Sequence, residues 1–122
     1  MILVDTSVWI DHFQVANVEL IRFLKNDEVC CHPLVITEIA SGSIARRSEI
    51  LKLLQQLRQL PQADNNEVLV LIETNKLWGK GLSAVDINIL ASAKITLGTK
   101  IWTRDKALSR AAEDLAVNYR FA

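Results

Sequence analysis

The chain begins with an uninterrupted apolar run, Met1 to Val4, that stops on Asp5. A strand with one wet face alternates apolar and polar residues. A strand without alternation is buried on both faces, and that burial comes from helices laid over both sides of a parallel sheet. The rest of the chain repeats the theme. Val29 to His32, "KIWT" from Lys100 and "AVNYR" from Ala116 read as further short strands. Helical sequence lies between them. Ser7 can cap a short helix through about Phe13, and Asn17 can cap a second with Val18, Ile21 and Leu24 on one face. Pro33 suits the first turn of a helix running to about Gly42. Ser48 to Leu60 is amphipathic, with Ile50, Leu53, Leu54 and Leu57 in one stripe, and Pro61 ends it. Residues 67–73, "EVLVLIE", are β-branched like a strand but flanked like a helix. Ser83 to Leu97 reads as a helix stopped by Gly98, and Thr103 can cap another through Leu115. The expected architecture is a three-layer α/β/α fold with a short, mostly parallel central sheet, in one domain spanning residues 1–122.

Composition narrows the function. Half the residues are apolar, which suffices for one core. Fourteen Lys and Arg balance 14 Asp and Glu, so any nucleic-acid contact must use a local patch rather than overall charge. No apolar run approaches the roughly 20 residues of a membrane span, and the N-terminus reads directly as a strand, so no signal peptide is expected. Cys30 and Cys31 are adjacent and lack metal-site spacing. They read as apolar strand residues in a reducing, cytoplasmic setting.

Ligands of open parallel sheets bind beyond the carboxyl ends of the strands. Asp5 ends the first strand and Asp105 follows "KIWT". Glu38 lies in the helix after the second strand, and Asp86 in the first turn of the helix after "GKGLS". Each also has a purely structural reading. Asp5 can cap a helix or close an Asx turn, Ser83 and Asp86 have capping-box spacing, Asp105 suits a first helical turn, and Glu38 can be a solvated helix residue. Gathered at one edge, the four would repel each other and raise each other's pKa values. A divalent cation removes that penalty, and hard Mg²⁺ or Mn²⁺ prefers oxygen ligands. Zinc is not indicated: His12 and His32 are isolated.

The stretches "MILVDTSVWID", "HPLVITEIASG", "GKGLSAVDINILASA" and "IWTRDKALSRAA" resemble, in order, the PIN-domain ribonucleases, and among them the VapC toxins of toxin–antitoxin pairs. The resemblance covers nearly the whole chain. It implies an acidic site of Asp5, Glu38, Asp86 and Asp105, supported by Thr6, Ser7 and Thr103 through hydrogen bonds. It implies Mg²⁺-dependent hydrolysis of RNA, with transfer or ribosomal RNA as substrate and 5′-phosphate and 3′-hydroxyl ends as products. It further implies a VapB-like antitoxin whose C-terminal segment lies in a groove of the Ile50–Leu57 half and can push an Arg toward the acids, and a homodimer. Asn88 departs from the pattern, since relatives often carry His two residues after the third acid.

Several cations flank these acids: Arg46, Arg47, Lys76, Lys80, Arg104 and Lys106. They can contact phosphates or simply be solvated. Trp9, Trp78 and Trp102 are expected to pack rather than stack on bases. Two other readings are weaker. A phosphoacceptor receiver domain lacks its acidic pair here, because Thr6 follows Asp5. A non-catalytic PIN-like binding module would be expected to lose acids, and all four are present.

Overall fold

A computed structural model describes residues 1–120. The elements run β1 (Ile2–Val4), α1 (Thr6–Gln14), α2 (Val18–Lys25), β2 (Val29–Cys31), α3 (Pro33–Ser41) and α4 (Arg47–Gln56). They continue through β3 (Arg58–Gln59), α5 (Asn65–Asn75), α6 (Ala84–Ile95), β4 (Lys100–Trp102) and α7 (Lys106–Asp114). The sheet order is β3-β2-β1-β4, and every pairing is parallel. This is the α/β fold that the unalternating strands require. Leu3, Val4, Cys30 and Ile101 are buried in one core with Val8, Trp9, Leu20, Leu90 and Leu108 from the covering helices.

The register sets the rim. Leu3 pairs with Cys30 on one side and Ile101 on the other, and Val4 pairs with Trp102. One residue further, the Asp5 N–H donates to the Trp102 carbonyl at 2.9 Å. The carboxyl ends of β1 and its neighbour β4 therefore finish level, and Asp5 stands beside Thr103.

Several expectations change. The amphipathic helix ends at Gln56, and the chain then adds the edge strand β3 beside β2, with the Leu60 N–H on the Cys31 carbonyl at 2.8 Å. Gln59 Nε2 donates to the Leu54 and Leu57 carbonyls and closes that helix end. Residues 67–73 are helical, because Asp64 and Glu67 form a capping box that starts α5. The β-branched run has no strand to pair with there, and Leu69 and Val70 face solvent. "AVNYR" forms a single parallel bridge, Ile101 to Asn118, rather than a full strand. The helix from Ser83 stops at Ile95, with Thr96 as its cap and Gly98 (φ +82°) in the turn beyond. Strand β2 stops one residue early because His32 turns out to cap α3, its Nδ1 accepting from the Leu34 N–H at 3.0 Å. Burial lowers the pKa of both histidines. Burial also pushes the thiols of Cys30 and Cys31 up, to about 11 and about 12, so both are inert core residues. Among the described residues no helix is long and apolar enough to cross a membrane.

Candidate active site

Asp5 is the fixed point of the rim. It is only 5 % exposed. Its Oδ2 accepts three hydrogen bonds: from the Ser7 hydroxyl at 2.8 Å, the Thr103 hydroxyl at 2.8 Å and, longer, the Ser7 N–H at 3.4 Å. Asp5 is thus the N-cap of α1, the role the sequence suggested for Ser7. Ser7 acts through its hydroxyl instead, which also accepts from the Arg104 N–H at 3.0 Å. That contact ties the start of α1 to the loop after β4.

Thr103 joins two acids. Its hydroxyl donates to Asp5 and accepts from the Asp105 N–H at 3.0 Å. The cap of the last helix is Asp105 rather than Thr103: Asp105 Oδ1 accepts from the Leu108 N–H at 2.8 Å, and α7 begins one residue later. Thr6 makes the matching link on the other side. Its hydroxyl donates to Glu38 Oε1 at 2.7 Å, so α3 is pinned to the residue next to Asp5.

Asp86 closes the set from α6. Its Oδ2 accepts from the Ser83 N–H at 3.0 Å, and the Ser83 hydroxyl accepts from the Asp86 N–H at 3.0 Å, completing the capping box. Its carboxyl is held above the usual carboxylate range. Burial is the main cause; the negative charges of Asp5 and Asp105 add to it, and the Ser83 hydrogen bonds oppose it. Those two charges act on Asp86 from residues 81 and 19 positions away, so α6 has been brought to the rim formed by β1 and β4.

The four acids therefore come from four segments and share one edge. In each, one carboxylate oxygen is held by the local fold, while Asp5 Oδ1, Glu38 Oε2, Asp86 Oδ1 and Asp105 Oδ2 accept no hydrogen bond among the described residues. None of the four is in an ion pair with a described Lys, Arg or His. A buried carboxylate served only by neutral hydroxyl and N–H donors, with no basic side chain paired to it, fits a divalent cation as the missing counter-charge. No three of the described His, Cys, Asp or Glu side chains are bunched tightly enough to enclose an ion by themselves.

Asn88 turns its amide onto its own helix, donating to the Ala84 carbonyl at 2.8 Å. The flanking cations divide into two groups. Arg46 pairs with Glu49, Arg104 pairs with Asp11, and Arg47 donates to the Ala40 and Gly42 carbonyls. Lys76, Lys80 and Lys106 are in no ion pair among the described residues. Trp9 and Trp102 are buried as expected, whereas Trp78 is 59 % exposed. Of the apolar stripe on α4, Leu54 enters the core, while Ile50 and Leu53 line a groove of about 630 Å³ with Ile10 and Phe13 of α1 and Ile44.

A parallel sheet covered by helices, with acids gathered at its carboxyl edge, defines the class, and the comparisons agree. The sequence profile of the PIN domain matches residues 2–114, and the chain belongs to that family. It is also similar to Ribonuclease VapC32 of Mycobacterium tuberculosis, from strains CDC 1551 / Oshkosh and ATCC 25618 / H37Rv. Identity to each is 50 % over 117 residues, 96 % of this chain and 94 % of the relative.

Proposed function

We propose that the chain is a divalent-metal-dependent endoribonuclease and the toxin of a VapBC-type pair, working in the cytoplasm. The observation that supports this most strongly is the shared rim: Asp5 is tied to Asp105 through Thr103, Thr6 ties Glu38 to the same corner, and Asp86 feels the charges of Asp5 and Asp105. The 50 % identity to a named ribonuclease supports the reaction class.

In this reading Asp5, Asp105 and Asp86 would hold Mg²⁺ or Mn²⁺. When bound, such a cation offsets negative charge on the phosphoryl oxygens and acidifies water in its shell. Glu38 Oε2 accepts a proton from the attacking water, and Thr6 holds Glu38 for that role. The water oxygen bonds to phosphorus as the bond from phosphorus to the 3′-oxygen breaks, and that oxygen takes up a proton. The ends are a 5′-phosphate and a 3′-hydroxyl. Ser7 and Thr103 keep Asp5 in place with one oxygen turned outward. Transfer or ribosomal RNA is the substrate class.

The groove between α1 and α4 accepts the antitoxin's C-terminal segment. Its floor is apolar with Arg46 and Glu49 among its lining, α4 forms one wall as the resemblance implies, and Leu53 lies in it half exposed. Leu53→Asp is expected to weaken antitoxin binding about tenfold or more, by putting a charge against apolar surface. Unchanged affinity in a folded variant would remove the groove from the account. A homodimer completes the reading, and the exposed Leu69 and Val70 of α5 supply apolar surface for it.

The direct test is to incubate purified protein with total RNA in Mg²⁺, in Mn²⁺ and in chelator, and to map the ends. Cleavage is expected with either metal and absent in chelator, and Asp5→Asn should abolish it. Cleavage that persists in chelator, or in Asp5→Asn, would refute the assignment.

A further inference from the structure

A second cavity, of about 510 Å³, opens beside the acids. It lies between Gly79–Lys80 of the loop after α5 and the α7 face that carries Lys106, Ala107, Arg110 and Asp114. Two glycines with left-handed backbone, Gly79 (φ +69°) and Gly81 (φ +77°), shape this loop. A Cβ added at Gly81 would lie 3.9 Å from the Ala107 side chain, so the loop rests on α7 at ordinary contact distance. Lys106 and Arg110 are four residues apart and face the same way along α7. Lys80 comes to them from the opposite wall.

All three side chains are exposed. None is in an ion pair or donates a side-chain hydrogen bond among the described residues, unlike Arg46, Arg47 and Arg104 on the other flanks. Even Asp114, at the far end of the cleft, is in no ion pair with Arg110. Three positive charges thus line one cleft without internal ion pairs, which leaves them available to an anionic ligand. Arg110 can clasp a phosphate with two parallel N–H bonds, and the two Lys act as point charges.

Both walls lead to the acids. Asp105 immediately precedes Lys106, and Ser83 and Asp86 follow Gly81 by two and five residues. From Asp105 to Arg110 is about 7.5 Å along a helix axis. Trp78, exposed, directly precedes Gly79 and offers a ring on which an unpaired base can stack. The chain has no net positive charge, so this local patch answers the requirement that its composition imposed.

We propose that Lys80, Lys106 and Arg110 bind the backbone phosphates of single-stranded RNA next to the scissile bond, and so lead the strand onto the acidic rim. The proposal rests on the ribonuclease reading for its substrate, and its test is separable from that reading. Asp114 repels phosphate and marks the end of the tract.

The test uses the full chain in chelator, with a fluorescent 12-nucleotide single-stranded RNA of mixed sequence, so that nothing is cut. Binding is followed by anisotropy from low to moderate salt. The variant K80Q/K106Q/R110Q is expected to bind at least about tenfold more weakly at low salt. Its log–log salt slope should be shallower by about 2, from three lost contacts at about 0.7 each on a single strand. A charge-matched control, R22Q/K25Q/K52Q, should stay within about threefold of the parent. Circular dichroism confirms that the variants are folded. Parent-like affinity and slope in the cleft variant would overturn the proposal, as would equal weakening of the control. Retained RNA binding together with lost affinity for a poly-glutamate peptide would assign the cleft to an acidic protein segment and overturn it too. RNA held through the cleft but never cut with metal would refute the ribonuclease reading alone. RNA cut by a protein whose cleft variant binds normally would refute this proposal alone.

Discussion

The protein builds two capping boxes, and they do different things. At the start of α5 the Asp64 side chain accepts from the Glu67 N–H at 2.8 Å, and Glu67 accepts from the Asp64 N–H at 3.0 Å. At the start of α6, Ser83 and Asp86 make the same reciprocal pair. Each box satisfies two N–H groups; the first leaves two carboxylate oxygens over and the second leaves one. The difference lies in the surroundings. Asp64 and Glu67 stand in an exposed turn. Asp86 is half buried; that burial raises its pKa, and the charges of Asp5 and Asp105 add to it. A free oxygen on a capping acid is ordinary; three of them near one sheet edge are not. Function enters with the tertiary placement of a motif whose local chemistry is structural.

The comparison is most easily broken at the rim. Asp5→Asn keeps an oxygen for the Ser7 and Thr103 donors, so stability should fall by about 1 kcal/mol at most. RNA hydrolysis should fall by roughly three orders of magnitude, the scale of removing one group aimed at transition-state charge. Single-turnover cleavage and thermal melts check both. A variant that cuts at half the parental rate would deny Asp5 its role.

Thr103→Val removes one donor to Asp5 and the acceptor for the Asp105 N–H. Activity should drop about 10- to 100-fold, with a matching rise in the metal concentration needed for half-maximal rate. A loss that added metal does not relieve would mean Thr103 serves the fold alone.

The two boxes can then be set against each other. Ser83→Ala and Asp64→Ala should each cost about 1 kcal/mol of stability. Only Ser83→Ala should also slow cleavage, because the Asp86 N–H loses the Ser83 hydroxyl that fixes the first turn of α6 carrying the Asp86 carboxylate. Equal effects on activity would erase the distinction between the boxes.

The smallest effect is a pH dependence in the metal-free protein. Asp86 has a folded pKa above its unfolded value, so its charge destabilises the fold. That penalty is full above the folded pKa. It fades as pH falls through that value and is gone below the unfolded one. Asp86→Asn should therefore melt higher than the parent at neutral pH, and the gain should vanish in mild acid. A variant less stable than the parent at pH 7 would mean that the Ser83 hydrogen bonds outweigh the repulsion.

What was legible in the sequence followed from local rules. The unalternating β1 run announced a parallel sheet, and its terminal acid announced the rim, because strand burial and strand ends are written in consecutive residues. The structural readings of Asp5, Asp86 and Asp105 hold, since each caps a helix with one oxygen, and that leaves the other oxygen for the proposed role. Features that depend on distant partners were hidden. Arg58 and Gln59 form an edge strand, yet both are exposed and carry no apolar pattern. Leu69 and Val70 look like strand core but ride the outside of α5. Trp78 looked like packing and lies on the surface. Arg110 carried no signal of its own, because the cleft exists only once the glycine loop has folded onto α7.

The central claim is that Asp5, Asp86 and Asp105, from distant segments, hold a divalent cation between them. Calorimetric titration of the metal-free protein with Mn²⁺ at neutral pH addresses it most directly. Saturable uptake is expected in the parent and in E67Q. It should weaken at least about tenfold in each of D5N, D86N and D105N. Parental affinity in those three variants would contradict the account.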